Sequence, residues 1–347
     1  MVYVGTQNSK SNFLDSEMIT NEPVILGFEG TAHTAGIAVV KGNKIIINKS
    51  ATYFPALGGI HPRDASDFLA KHFPKLLEQI LDELPFNIEK IDAIAFSRGP
   101  GLGPCLRITA TIARAISLLI KKPLIGVNHC IAHVELGRMV TPARDPVVLY
   151  VSGGNTQLIT FLNRKYRILG ETLDVAIGNA LDSLGRKLGL PHPGGPHIEQ
   201  KAKGGQKLLP LPYAIKGMSF SFSGVITAAQ KLISKYNVSD ICYSFQEYTY
   251  AALAEATERA LSCTKKSSLL LTGGVAANMR LQEMMQGVAA EQSVKFFVVP
   301  KSLAGDNGAM IALAGINMYR AKNFIDVKNS HVIPRWRTDQ VEVNWIL

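Results

Sequence analysis

Cysteine is scarce and scattered. Cys105, Cys130, Cys242 and Cys263 are the only four in 347 residues, and no two form a CxxC pair. That excludes a disulfide framework and leads us to expect a reducing cytoplasm. Long apolar runs are lacking too. The longest, within "ATIARAISLLI" (110–120), is broken by Arg114 and is too short to span a bilayer, so no membrane association is expected. Residues 1–22 hold Asp15, Glu17 and Glu22 and lack both a hydrophobic stretch and an Arg-rich amphipathic pattern. They read as a mobile tail, not as a signal or transit peptide. No GxxxxGK[ST] occurs and no GxGxxG opens a helix, which excludes a P-loop and a dinucleotide fold of the usual kind. Acidic residues are outnumbered, 27 against 37 Lys and Arg, for a net charge of +10. Such an excess points to a polyanionic partner, with "NRKYR" (163–167) and "KAKGGQK" (201–207) as phosphate-contact patches, or else to a solvated basic surface.

What is present is a well-packed globular composition, 47% hydrophobic and 18% charged. The length exceeds one compact core, so two domains or two similar halves are expected. The second alternative has a visible basis. "VILGFEGTAHTAGIAVVKGNKIIINKS" (24–50) reads as strand, Gly-rich turn, strand, charged turn, strand, and "VVLYVSGGNTQLITFLNRKYRILGE" (147–171) repeats that order. After the first meander come a helix at about 64–83, a strand at 91–97, a helix at 107–121 and a strand at 123–128. After the second come helices near 174–188, 223–235 and 241–265, strands at 268–275 and 294–300 with a helix between them, and a last helix near 306–320. Alternation of this kind predicts an α/β fold of mixed sheets flanked by helices, with two lobes facing across a cleft and Gly-rich turns lining it at the strand ends. The expected divisions are 23–145 and 146–325, followed by a tail, 326–347, packing back on the first lobe.

Two of those turns suit an anion. Gly153 and Gly154 directly follow a strand in "YVSGGNTQ" (150–157), where missing side chains let backbone N–H groups come close. "LTGGVAANMRL" (271–281) repeats the device before a helix N-terminus. Either pair alone is an ordinary tight turn; two at equivalent places suggest a nucleotide cradle. "RGPGLGPCLRIT" (98–109) has two prolines and reads as a rigid bend. Asp182 and Glu199 flank "PHPGGP" (191–196), a stretch too rich in Pro and Gly to be helical, and are either acceptors for ribose hydroxyls or solvated carboxylates.

"NHCIAH" (128–133) places His129 and His133 four apart, on one face of a helix and close enough to chelate one ion. The alternative is a satisfied pair at a packed helix end. A metallopeptidase of the HExxH class needs Glu directly after the first histidine, and Cys130 stands there. Asp306 in "LAGDNGAMIALAG" (303–315) offers a third ligand, although as a helix N-cap it needs no metal.

In this order, "GFEGTAHT", "RGPGLGPCLRIT", "GVNHCIAH", "YVSGGNTQ", "LPHPGGP", "SFSFSG", "TGGVAANMRL" and "GDNGAMIA" resemble the tRNA threonylcarbamoyladenosine transferase family, over nearly the whole chain after about residue 24. The tail "PRWRTDQVEVNWIL" (334–347) resembles the archaeal and eukaryotic branch, whose members are catalytic subunits of the KEOPS complex. The resemblance implies an actin-like, Hsp70-like ATPase (ASKHA) fold with two similar lobes. It implies His129, His133, Tyr150 and Asp306 as ligands of one divalent metal, iron or zinc. It implies an adenine nucleotide (threonylcarbamoyl-AMP, ATP or AMP) against Tyr150, Val151, Ser152, Gly153, Gly154 and Asn155, with Asp182, Gly195, Glu199 and Asn278 around ribose and base. Position 199 is often Asp in the family, so Glu199 keeps the acceptor on a longer arm.

The implied reaction moves a threonylcarbamoyl group onto N6 of the adenosine following the anticodon in tRNAs that read ANN codons, releasing AMP. Implied partners are tRNA, a small atypical protein kinase, a dimer-forming small subunit and a tRNA-tail-binding subunit. The rival readings are a metallopeptidase, an actin-like-fold ATPase or sugar kinase, and a non-catalytic scaffold. One departure stands out: family members carry one or two histidines in the helix after the "GIHPRDA" bend, where this chain has Phe68 and Leu69, with His61 and His72 nearby.

Overall fold

A computed structural model describes residues 22–55 and 59–346. All but the last residue of the expected mobile tail lies outside the described residues.

The first half opens with a meander of β1 (Val24–Glu29), β2 (Thr34–Lys41) and β3 (Lys44–Thr52), then α1 (Pro62–Glu83), β4 (Ala93–Gly99), α2 (Gly103–Leu119), β5 (Leu124–Asn128) and α3 (His129–Val140). The second repeats the plan with β6 (Val147–Val151), β7 (Thr156–Leu162) and β8 (Lys165–Glu171). There follow α4 (Ile177–Lys187), α5 (Gly194–Ala202), the small hairpin β9 (Ile215–Lys216) and β10 (Ser219–Phe220), α6 (Ser223–Lys231) and α7 (Val238–Thr264). It closes with β11 (Ser268–Thr272), α8 (Met279–Glu291), β12 (Lys295–Val298), α9 (Lys301–Ala304) and α10 (Gly308–Arg320).

The sheet orders are β3-β2-β1-β4-β5 and, running the other way along the chain of neighbours, β12-β11-β6-β7-β8. Each has an antiparallel meander on one side and two parallel strands on the other. The strands β1, β2, β3, β4 and β5 thus correspond to β6, β7, β8, β11 and β12, so the echo in the sequence is a topological one. Parallel strands such as β4, β6 and β11 are buried nearly throughout, as they must be when helices cover both faces.

The last helix of each half reaches the other half's sheet: α10 lies on the first sheet, and α3 lies between the two, against β4 and β5 of its own as well. α10 packs on β1, β2 and β4, α3 packs on β6 and β11, and the two helices lie against each other. They share one core, in which Ile25 and Ala95 of the first sheet join Tyr150 and Leu270 of the second. Residues 308–316 of α10 are buried all round, as a helix enclosed on every side requires. Its glycines are a packing necessity: a Cβ on Gly308 would meet the Ile37 backbone at 2.4 Å, and one on Gly27 the Ala312 nitrogen at 2.6 Å.

Four expectations from the sequence change. α2 begins at Gly103, four residues early, because Pro104 is tolerated in a first turn. "PHPGGP" is partly helical: α5 starts at Gly194, and Pro196 falls within the first turn, where no intrahelical acceptor awaits its missing N–H. Strand β11 stops at Thr272 because Gly273 adopts φ +96° against β6, where a Cβ would meet the Val151 carbonyl at 2.2 Å. Helix α6 likewise ends at Lys231, short of 235.

Residues 326–346 form an irregular segment with two short 3-10 turns. On the first half, Arg98 donates to the His331 and Asn329 carbonyls and Arg114 to the Ser330 hydroxyl. On the second, Thr338 donates to Gln157 and Arg337 pairs with Glu171 at 3.0 Å.

Candidate functional site

Helix α3 starts sharply because Asn128 caps it, its Oδ1 accepting from the Ile131 N–H at 3.2 Å. That makes His129 the first helical residue and puts His133 one turn on, with ring centroids 4.9 Å apart. At the start of α10 the capping role falls to Asn307, whose Oδ1 accepts from the Met310 N–H. Asp306 is therefore not the cap, and its carboxylate turns to the histidines: Oδ1 is 3.1 Å from His133 Nε2 and 3.6 Å from His129 Nε2. One donor atom from each of His129, His133 and Asp306 lies within 4.8 Å of the others. Tyr150, at the end of β6, lays its ring on His133 at 4.9 Å. Its hydroxyl and His133 Nδ1 are buried without a hydrogen-bond partner among the described residues.

Glu29 belongs to this cluster, and the sequence reading missed it. The side chain is fully buried, with Oε2 3.1 Å from His129 Nδ1, while Oε1 accepts from the Thr31 hydroxyl and N–H at 2.6 and 2.8 Å. A carboxylate ending an otherwise apolar, wholly buried strand is the signal that could have found it. Burial alone would depress His129, but the carboxylates of Glu29 and Asp306 outweigh it and lift the imidazole to about 9. His133 is held below its ordinary value by burial. Burial opposes ionisation of Asp306, yet the two imidazoles hold it well below the usual carboxylate range. A carboxylate behind one imidazole, donor atoms converging on one point and orphaned polar atoms beside it are what a divalent cation requires. The residues fit such an ion.

The predicted nucleotide residues fall into two groups. After Tyr150 the chain runs through Val151 into a turn in which the Ser152 N–H donates to the Asn155 carbonyl and the Asn155 N–H to Ser152 Oγ. Gly153 and Gly154 are exposed, and nothing lies within 4 Å of a Cβ built on Gly154. β6 and β11 are neighbouring parallel strands, so the Gly153–Gly154 and Gly273–Gly274 turns sit side by side at their carboxyl ends. Gly178 of α4 donates to the Ser152 carbonyl, and Asp182 follows one turn along. Asp182 is not merely solvated: its Oδ1 caps α5 by accepting from the Gly194 N–H at 2.6 Å, beside Gly195, and Oδ2 lies 3.7 Å from His192. In the second group, Asn278 caps α8 through the Leu281 N–H, and Glu199 accepts from the adjacent Met279 N–H at 2.8 Å.

His33 links the clusters. Burial lowers its pKa, His192 adds to that, and Asp306, Asp182 and Glu29 oppose it. One imidazole from the first half thus senses both the His–His–Asp group and the α4–α5 carboxylate. The departure at 68–69 is explained by packing: Leu69 fills the first core, and Phe68 stacks on His72 at 3.8 Å. His61 is exposed beside Asp64. Where a peptidase would need its carboxylate, burial pushes the Cys130 thiol up to about 12.

The family model described as "TsaD: tRNA N6-adenosine threonylcarbamoyltransferase" matches residues 43–313. The tRNA N6-adenosine threonylcarbamoyltransferase of Archaeoglobus fulgidus is 52% identical over 93% of this chain and 99% of its own. The probable bifunctional tRNA threonylcarbamoyladenosine biosynthesis protein of Methanocaldococcus jannaschii is 51% identical over 93% of this chain and 60% of its own. The chain thus spans about 60% of the length of such bifunctional relatives. Among solved structures, T. kodakarensis HypF matches with TM-score 0.62 at 14% identity, covering 87% of this chain and 48% of that one. An activator of 2-hydroxyisocaproyl-CoA dehydratase from Clostridium difficile matches at 0.53 and 12% identity, covering 86% and 97%. Those two likenesses concern the fold, which is that of the actin-like ATPases.

Proposed function

Because the chain belongs to the tRNA N6-adenosine threonylcarbamoyltransferase family, we propose that it makes threonylcarbamoyladenosine in tRNA. The threonylcarbamoyl group passes from threonylcarbamoyl-AMP to N6 of the adenosine 3′ to the anticodon in tRNAs reading ANN codons, and AMP leaves. One observation supports the reading: donor atoms of His129, His133 and Asp306 lie within 4.8 Å of one another, Tyr150 stacks on His133, and the exposed Gly153 follows Tyr150 by three residues, just past the end of β6.

In this reading His129, His133, Tyr150 and Asp306 hold one divalent metal, iron or zinc, either of which suits a mixed imidazole and hard-oxygen donor set. Such a cation supplies a Lewis acid for the carbamoyl or threonyl oxygens. Glu29 fixes the His129 ring through Nδ1, leaving Nε2 toward Asp306. Gly153 and Gly154 present backbone N–H groups to the phosphate that departs, stabilising its charge without reorganisation. Val151, Ser152 and Asn155 hold that turn, and Asp182, Gly195, Glu199 and Asn278 surround ribose and base. The amine attacks directly, so no side-chain nucleophile is needed.

The cleft lies between lobes 23–145 and 146–325, with residues 326–346 bound to both. The basic surface receives tRNA phosphates, in company with a small atypical kinase, a dimer-forming subunit and a tRNA-tail-binding subunit, in the cytoplasm. No described helix is long and apolar enough to cross a membrane. The test is reconstitution: the protein and those partners with tRNA, threonine, bicarbonate, ATP and a threonylcarbamoyl-AMP synthase, followed by nucleoside analysis. Modified adenosine that depends on this chain supports the reading; its absence with an active synthase rejects it.

A further inference from the structure

Glu135 is buried on α3, two residues beyond His133 and so on another face of the helix, away from the histidine cluster. Its carboxylate collects donors from four parts of the chain. Oε1 accepts from the Tyr166 hydroxyl of β8 at 2.5 Å, from Trp345 Nε1 of the C-terminal segment at 3.2 Å and from Arg138 Nη1 of α3 itself at 3.2 Å. Oε2 accepts from Asn317 Nδ2 of α10 at 3.1 Å and from Arg138 at 3.3 Å. Two oxygens offer about four lone-pair sites. The group is saturated, which leaves it no capacity to act on a substrate.

A buried carboxylate is costly to place, and apolar residues of similar volume serve stability as well or better. What it uniquely provides is direction, since only an acceptor-only group satisfies so many donors at once. Its position gives that direction a use. Asp306 stands directly before the Asn307 cap of α10, and Asn317, 11 residues on, lies in the third turn of that helix. α3 is held twice, once to the residue before the α10 cap and once to α10 itself: His133 to Asp306 at one level, Glu135 to Asn317 at another. Trp345 extends the same hub to the C-terminal segment, whose Trp336 carbonyl accepts from Asn128, the α3 cap. Burial, and then the nearby Glu135 charge, holds the Tyr166 phenol far above its ordinary value, so it remains a donor.

We propose that Glu135 is a positioning residue, which sets the α3–α10 register that brings His129, His133 and Asp306 together and makes that register depend on docking of the C-terminal segment through Trp345. This rests on the metal reading above and is tested without activity. The probe is Zn2+ alone, titrated into the full metal-free chain, with affinity read by competition against a chromogenic chelator. Glu135→Gln is expected to weaken Zn2+ binding about two- to thirtyfold, the range for residues that act on a site through packed elements without touching it. Trp345→Phe, which keeps the ring and deletes one donor, is expected to cost less. The double variant should fall short of the product of the two, since the changes remove one shared hydrogen bond. In Trp336→Phe, which leaves Trp345 as the sole tryptophan, Zn2+ should shift the emission, and adding Glu135→Gln should abolish that shift. Wild-type Zn2+ affinity in folded Glu135→Gln and Trp345→Phe, with only the melting temperature lowered, overturns the proposal and leaves the metal site standing. No Zn2+ uptake by the wild type overturns both.

Discussion

A proton and a metal ion compete for one nitrogen of His129, Nε2, and the competition can be measured. His129 is lifted from 6.5 to about 9 because Glu29 and Asp306 outweigh its burial. In the metal-free protein that rise stabilises the fold, by on the order of 3 kcal/mol. The stabilisation is complete below pH about 6.5 and is lost as pH climbs through 9. Asp306, held low, stays ionised across this window, and His133 and His33, also held low, titrate beneath it. Metal binding runs the other way, because the ligand must give up its proton: apparent affinity should rise about tenfold per pH unit from 6.5 to 8.5. The assay is a pair of titrations at half-unit steps, urea unfolding without metal and chelator competition with Zn2+. Urea midpoints should fall as pH rises while Zn2+ affinity increases. Glu29→Gln removes the largest raising influence, so both slopes should flatten above pH 7 even though absolute affinity drops. A flat Zn2+ affinity in the wild type, or an unchanged slope in Glu29→Gln, refutes the reasoning.

Three further outcomes are expected. His129→Ala should lose bound metal and nearly all transfer activity while keeping its circular dichroism spectrum; stoichiometric metal in that variant would defeat the ligand assignment. Gly154→Leu should fold normally, since a Cβ there meets nothing within 4 Å, and should weaken AMP or ATP binding as measured calorimetrically. Unchanged affinity would mean that the nucleotide lies elsewhere. Gly308→Ala forces a methyl into the Ile37 backbone, so urea unfolding should show a loss of about 1–3 kcal/mol, with weaker metal uptake because Asp306 is two residues away. A neutral result would mean that α10 can shift without cost.

The duplicated plan was legible in the sequence because each half must repeat the same apolar strands and turn residues to bury its sheet. The placement of α10 on the other half's sheet, and of α3 between both, was not, since nothing local in "HCIAHVELG" or "GAMIALAGI" states which sheet they cover. Only the enrichment in Gly and Ala, read in three dimensions, reports a backbone that approaches another within the reach of a methyl group. The same limit governed individual side chains. Asp306 and Asn307 are both good N-caps by type, and local rules cannot choose between them. Packing chooses, giving the helix to Asn307 and leaving Asp306 for the histidines. Asp182 shows the converse: weighed as ribose acceptor against solvated carboxylate, it proves to cap α5 with one oxygen, and only the other remains for any ligand.

Glu29 and Glu135 share a further lesson. Both are acidic residues set among apolar ones in wholly buried stretches, and each is held by donors distant in sequence, His129 for the first and Tyr166, Asn317 and Trp345 for the second. A buried carboxylate persists only where its lone pairs are occupied. Such a residue in an apolar run therefore predicts a cluster of donors before any of them can be named. In this chain both clusters converge on α3, one on each side of the histidine pair. The helix that carries the metal-type residues is held by a charge in front, which sets the protonation of His129, and a charge behind, which sets its register.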